Sequence, residues 1–349
     1  MNQVAHSRRC EIAAQLRWCW CYAGLPSYQA VVVVEIVPAH LRDPAIRTEF
    51  INANNQRFEV DMCGSGSRLA LCLHGFPEHS FSWRFQLPML AKLGYQAWAP
   101  NLRGYGQSSK PEGVSAYSLE NLMADVAQLI DASGCEETVL LAHDWGAVIA
   151  WYFAMRQVRP LQQLVICNVP HPQAMNNGFS WAQLAKSWYI LFFQLPGLPE
   201  WTMGRNDAAA MRNIMRSSAV DKTNFDDDVG EVYQRNAAQP GALSAMLNYY
   251  RALVSGGGAR RQRALGYPRI ETPTLMIWGE DDVALTKATT YGTEQYVDDF
   301  TIRYLPRVSH WVQQEQPQVV NAMISAFLQG ETVPQMRWEA QLFDVEDAP

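Results

Sequence analysis

The 349-residue chain has no long apolar run. Val31 to Val34 is apolar, but Glu35 and Pro38 end that stretch, far short of the roughly 20 residues a membrane span needs. Arg8 and Arg9 precede a moderately apolar segment, yet Glu11, Gln15 and Arg17 interrupt it, unlike a secretion signal. Basic runs are missing too: 34 Asp and Glu outweigh 28 Lys and Arg, for a formal net charge of -6. The patch Arg260, Arg261 and Arg263 is short and sits beside Gly256, Gly257 and Gly258, as in a solvated loop, so nucleic-acid binding has little support. Seven cysteines (Cys10, Cys19, Cys21, Cys63, Cys72, Cys135 and Cys167) make an odd count without regular spacing, which is no disulfide framework. Cys19 and Cys21 form C-x-C without a nearby His, so no metal site is expected and reduced thiols in a cytoplasmic protein are the simpler reading. Repeats and low-complexity tracts are also absent.

What remains is a globular composition, 48% hydrophobic and 18% charged, long enough for one large α/β domain with an insertion or for two ordinary domains. Phe58 to Met62 alternates like a half-buried strand. Leu69 to Leu73, Gln96 to Pro100, Thr138 to Ala142, Leu164 to Cys167, Thr274 to Trp278 and Thr301 to Leu305 read as further strands. Between them, 118–132 carries Leu119, Leu122, Val126, Leu129 and Ile130 at helical spacing behind a Ser118 cap. Helices are also expected from Ala147 to Met155 and from Gln318 to Leu328. Strands alternating with helices imply a mostly parallel sheet covered on both faces. Residues 171–268 differ: they are rich in Trp, Tyr, Phe, Met and Asn and show helical patterns only. The division that follows is an N-terminal extension over 1–45 with a short helix and strand, a core over 46–170 and 269–329, a helical cap over 171–268 at the carboxyl edge of the sheet, and a solvated tail over 330–349.

The chemistry concentrates where buried strands end. Ala142-His143-Asp144-Trp145-Gly146-Ala147 runs from a strand directly into a helix, with small residues where a tight turn needs them, and puts a carboxylate at the apex. A carboxylate there is ionised at neutral pH and attacks carbon to form an ester. The bland alternative is that Asp144 caps the helix. His74-Gly75-Phe76-Pro77-Glu78 follows another strand, and its turn can pair the Phe76 N–H with that of Trp145 as an oxyanion hole. Glu280, Asp281 and Asp282 follow Gly279 at the end of the penultimate strand, and His310 lies just past the last. The order Asp144, acid, His310 suits a nucleophile, an orienting carboxylate and a base that activates water. All three acids compete for the middle role.

These motifs resemble those of the epoxide hydrolases of the α/β-hydrolase superfamily over roughly residues 47–329. The match rests on His74-Gly75-Phe76-Pro77-Glu78, Ser82-Trp83-Arg84, Leu102-Arg103-Gly104-Tyr105-Gly106, His143-Asp144-Trp145-Gly146 and Asn168-Val169-Pro170-His171-Pro172. The resemblance implies an α/β-hydrolase fold with a mostly parallel eight-stranded sheet and an inserted helical cap. It places the triad acid three residues after Gly279, at Asp282. It also implies two cap tyrosines that hold the epoxide oxygen: Tyr189 in Trp188-Tyr189-Ile190-Leu191-Phe192-Phe193-Gln194, and Tyr250 in Asn248-Tyr249-Tyr250-Arg251, with Tyr249 a competing candidate. Asn101 departs from the Asp usual before Leu102, with at most a small structural consequence expected. Trp83, Trp188 and Trp311, with Phe76 and Trp145, are expected to wall an apolar substrate pocket, although each also reads as ordinary packing.

The implied reaction converts a hydrophobic epoxide and water to a vicinal diol without metal or organic cofactor. A dehalogenase acting on a haloalkane or haloacid would use the same Asp nucleophile. Haloalkane dehalogenases, however, usually place Asn where Phe76 stands, and fluoroacetate dehalogenases carry arginines where Ala147 and Val148 stand. A non-catalytic binding protein of the same fold is the remaining reading, opposed by the intact nucleophile, acid and base. A homodimer is compatible with these features.

Overall fold

The computed structural model describes residues 36–336 and 343–344. The expected helix and strand of the N-terminal extension fall largely on residues 1–35, outside the described residues, as do Cys10, Cys19, Cys21 and most of the acidic tail. Eight strands form the main sheet: β1 (Arg47–Ala53), β2 (Gln56–Cys63), β3 (Arg68–Leu73), β4 (Tyr95–Pro100), β5 (Glu137–His143), β6 (Gln163–Cys167), β7 (Thr274–Gly279) and β8 (Phe300–Leu305). They lie in the order β1-β2-β4-β3-β5-β6-β7-β8. The β1–β2 and β2–β4 pairs are antiparallel and all the others parallel. A two-residue ribbon, β9 (Gln335–Met336) with β10 (Phe343–Asp344), stands apart.

The core helices are α1 (Gln86–Lys92), α2 (Leu119–Ser133) and α3 (Trp145–Met155). Between β6 and β7 the chain forms helices alone: α4 (Pro172–Asn177), α5 (Trp181–Lys186), α6 (Trp188–Phe192), α7 (Leu198–Ser218, kinked at 205–208), α8 (Asp227–Ala237), α9 (Ala242–Leu253) and α10 (Gly258–Ala264). Two more, α11 (Val312–Glu315) and α12 (Pro317–Leu328), follow β8. Ser118 caps α2, its hydroxyl accepting from the Asn121 N–H, and Gly134 ends the helix in the left-handed region that glycine adopts without a Cβ penalty. No described helix is long and apolar enough to cross a membrane.

Alternation along the parallel strands divides the core. On β3, Leu69, Leu71 and Leu73 join one cluster with α2, α3 and α9, while Ala70 and Cys72 join another with α1 and α12. Two expectations are corrected here. The strand over Phe58 to Met62 is buried on both faces: the main-chain N–H of Gln107 and the Asn101 amide cover Glu59, and the hydroxyls of Ser80 and Thr48 cover Asp61. Trp83 is fully buried in the α1 and α12 cluster with Leu87 and Leu90, which removes it from any pocket wall on the other side.

Candidate active site

The carboxyl ends of β3, β5, β7 and β8 deliver the reactive groups to one edge, as open α/β sheets do. Asp144 stands between β5 and α3 with φ 47° and ψ −119°, an unusual backbone for a residue with a Cβ. Its side chain makes no capping bond to α3, so helix capping does not account for it. The turn is possible because its neighbours are bare. A Cβ on Gly146 would lie 2.3 Å from the Leu73 carbonyl oxygen, and one on Gly75 would lie 2.3 Å from the Asp144 Cβ.

Asp144 Oδ1 accepts from the Phe76 N–H at 2.6 Å. Its Oδ2 lies 3.6 Å from His310 Nε2, and His310 Nδ1 is 2.6 Å from Asp282 Oδ2. The Trp145 N–H is the first of α3, among the donors a helix start leaves without intrahelical partners. Asp282 is fully bonded: Oδ1 accepts from the N–H groups of Ala284 and Leu285 at 2.7 and 2.9 Å, and Oδ2 from the Asn168 amide at 2.7 Å. Glu280 instead pairs with Lys287 at 2.5 Å, half-exposed.

Burial opposes the charge on all three groups, and mutual attraction overrides it. The His310 imidazole is raised to about 10 by the charge of Asp282 and by Asp144. Asp282 is held below the usual carboxylate range by His310, and Asp144 by His310, His143 and the Phe76 N–H. Behind them lies a buried pair with no role assigned from sequence. His143 Nδ1 is 2.7 Å from Glu78 Oε2, and its Nε2 is 2.8 Å from the His310 carbonyl. Glu78 also accepts from the Gly75 N–H at 2.7 Å and from the amides of Gln313 and Gln314. This pair locks the Gly75 turn to the nucleophile strand and to the His310 main chain. Both residues stand in the strand-end motifs, but they are 65 positions apart in the chain, so only the fold shows that they pair.

Above Asp144 opens a cavity of about 270 Å³, lined mainly by apolar groups and bordered by Trp145, Tyr189, Ile190 and Tyr250. Tyr189 and Tyr250 meet edge to face, ring centres 6.0 Å apart. Burial first, then the Asp144 charge, pushes both phenols above their ordinary range, so both stay protonated donors. Tyr249 faces elsewhere: its hydroxyl donates to the Arg103 carbonyl at 2.7 Å, pinning α9 to the core. Trp188 and Trp311 join Trp83 outside the cavity lining. Trp188 is 64% exposed on the outer side of α6. Trp311 packs edge-on against His310 and donates its indole N–H to Ser218. Asn101, fully buried, accepts from the Ser80 N–H and donates to Glu59, with His79 3.1 Å from its amide nitrogen. Among the described residues no group of three or more His, Cys, Asp or Glu has the geometry to hold a metal ion.

A family described as the alpha/beta hydrolase fold matches residues 71–316. Mouse epoxide hydrolase 4 is 36% identical over 84% of this chain and 83% of its own length. Epoxide hydrolase 2 of Caenorhabditis elegans is 34% identical over 80% and 79%. This chain belongs to the epoxide hydrolases of the α/β-hydrolase family. The crystal structure of Bacillus megaterium epoxide hydrolase with an inhibitor matches it with a TM-score of 0.74 at 31% identity, over 80% of this chain and all of that one. The epoxide hydrolase sheet thus carries here a carboxylate, a histidine and a second carboxylate in one hydrogen-bonded or ion-paired line, beneath two phenols.

Proposed function

We propose that this hydrolase opens apolar epoxides with water through a covalent ester on Asp144, releasing vicinal diols. The observation that carries the reading is the placement of one ionised carboxylate and two protonated phenols on the same apolar cavity. A carboxylate attacks an epoxide carbon from the side opposite the departing oxygen, and that oxygen needs an acid. Tyr189 and Tyr250 supply it. The C–O bond of the ring breaks as the Asp144–carbon bond forms, and one tyrosine passes its proton to the alkoxide.

The second half needs a base, and charge explains when it appears. With both carboxylates ionised, His310 holds a proton. Esterification makes Asp144 neutral and removes one of the two charges that raise His310, so the imidazolium passes its proton to the tyrosinate, restoring the phenol, and the neutral imidazole can then take a proton from water. The hydroxide attacks the ester carbonyl, and the N–H groups of Phe76 and Trp145 stabilise the developing oxyanion. Collapse expels the diol, which takes the proton from His310. The regenerated carboxyl returns the remaining proton of the water to His310, so carboxylate, imidazolium and phenols end as they began.

In this scheme 171–268 acts as a cap that supplies the phenols, and 46–170 with 269–329 as the catalytic core. The four described cysteines, Cys63, Cys72, Cys135 and Cys167, are free thiols, which suits a reducing compartment such as the cytosol. The test is mass spectrometry of His310→Gln mixed with an aryl glycidyl ether. An adduct equal in mass to the epoxide, located on the Asp144 peptide, is expected. Its absence while wild type still forms diol would replace the ester by direct attack of water.

A further inference from the structure

We infer that the far end of the substrate cavity is an anion subsite centred on Arg263, so that the preferred epoxides carry a carboxylate about one cavity length from the ring. The inference rests on the proposed ring opening and narrows its substrates: apolar along their length, charged at the end remote from Asp144. The cavity runs along α3, whose Trp145, Val148, Trp151 and Tyr152 all line it. From Trp145 to Tyr152 a helix rises roughly 10 Å. Asp144 stands at the start of that path. Arg263 lies at its other end, because its neighbours are tied there. Tyr267 shares a hydrogen bond with Tyr152, and Arg156, one turn beyond Tyr152, donates to the Gln262 and Gly266 carbonyls at 3.0 and 2.9 Å.

Among the described residues the lining holds a single acid, Asp144, and a single base, Arg263. That base is uncommitted. Arg251 pairs with Glu200, Arg261 with Glu120 and Arg269 with Asp298, whereas no acid among the described residues pairs with Arg263. The chain as a whole is acidic, with a net charge of -6, so a free guanidinium at the rim of an apolar cavity runs against the prevailing field. Apolar walls focus the field of such a charge into the cavity they enclose.

A carboxylate matches this end. It accepts two parallel hydrogen bonds from a guanidinium fork. The phenols beside it offer one more donor: two hydroxyls that share one hydrogen bond leave one proton over for a ligand oxygen. The Asn176 amide lies 3.4 Å from the Tyr267 hydroxyl and completes a polar rim. Between the two ends the walls are Trp145, Val148, Trp151 and Ile190, which suit an aryl or alkyl spacer. Arg263 is exposed, so water screens part of its attraction and the effect is a preference, not an absolute requirement.

Isothermal titration of the full chain with para-propoxyphenylacetate, which has no epoxide, and with its uncharged amide tests the subsite apart from the chemistry. The ratio of acid to amide affinity should fall about five- to tenfold in Arg263→Gln and stay near the wild-type value in Arg263→Lys. The same fall should appear in kcat/KM for diol formation from para-glycidyloxyphenylacetate and its amide, carried by KM and not by kcat. A ratio that is the same in wild type and Arg263→Gln overturns the inference, even where both epoxides are hydrolysed. An equal fall in Arg269→Gln would assign the effect to surface charge at large and overturns it too. If the affinity ratio falls in Arg263→Gln alone while neither epoxide yields diol, the subsite stands and the proposed reaction falls.

Discussion

The floor and the roof of the cavity are built on opposite plans. The floor is polar and rigid. Asp144, His310, Asp282, His143 and Glu78 hang from strand ends, four of them essentially buried, and each carboxylate oxygen has a partner. The roof is apolar and uneven: Tyr189 sits on a five-residue helix with no fully buried residue, whereas Tyr250 sits on the well-buried α9. On the proposed mechanism, the difference follows the chemistry each side would perform. Charges that must keep their protonation states need fixed partners, because an unpaired charge in a buried site is costly. Phenols that need only remain protonated are served by burial and by the nearby Asp144 charge, without fixed hydrogen-bond partners of their own.

Removing the floor should cost most. Asp144→Ala should lower diol formation about 10⁴-fold or more, measured on a panel of aryl and alkyl epoxides. Residual turnover within tenfold of wild type would break the division, because the roof would then be sufficient. His310→Gln should lower steady-state turnover about 10²–10⁴-fold while single-turnover ester formation persists. Loss of both phases together would mean that His310 serves the first step as well.

Changes to the roof should be smaller and redundant. Tyr189→Phe and Tyr250→Phe should each slow ester formation by about 10²-fold or less, and the double variant should be nearly inactive. Stopped-flow quenching of Trp145 fluorescence would follow that phase. Full turnover in the double variant would remove both donors from the mechanism. Trp83→Ala should do the reverse, destabilising the fold by about 3–5 kcal/mol while leaving KM of the folded enzyme unchanged. A raised KM would return Trp83 to the pocket wall.

The smallest effect concerns pH. His310 is raised above its unfolded value of about 6.5, so the stability from its pairing is complete below that pH and is lost as pH rises through about 10. Urea midpoints for wild type and His310→Gln should therefore converge between neutral and pH 10. A gap that stays constant across that window would place the stabilising charge elsewhere in the floor.

The sequence by itself determined the order of the strands in the chain, the elbow at Asp144 and the histidine past the last strand. Each is a local pattern, an apolar run ending at a small-residue turn, and needs no knowledge of distant contacts. The strand β1 escaped because Arg47–Ala53 lies at the sheet edge and is mostly exposed, so it carries no core-facing alternation. Asp282 and Tyr250 were reached through likeness alone, since neighbouring acids and tyrosines look equivalent until the backbone aims them. Only the tertiary structure supplies the aim that supports those choices. The Asn168 amide and two main-chain N–H groups single out Asp282, and the phase of α9 turns Tyr250 to the cavity and Tyr249 to Arg103. It also decided the tryptophans. An indole seeks burial or an apolar neighbour wherever it falls, and only packing says which face of the sheet, or which side of a helix, it occupies.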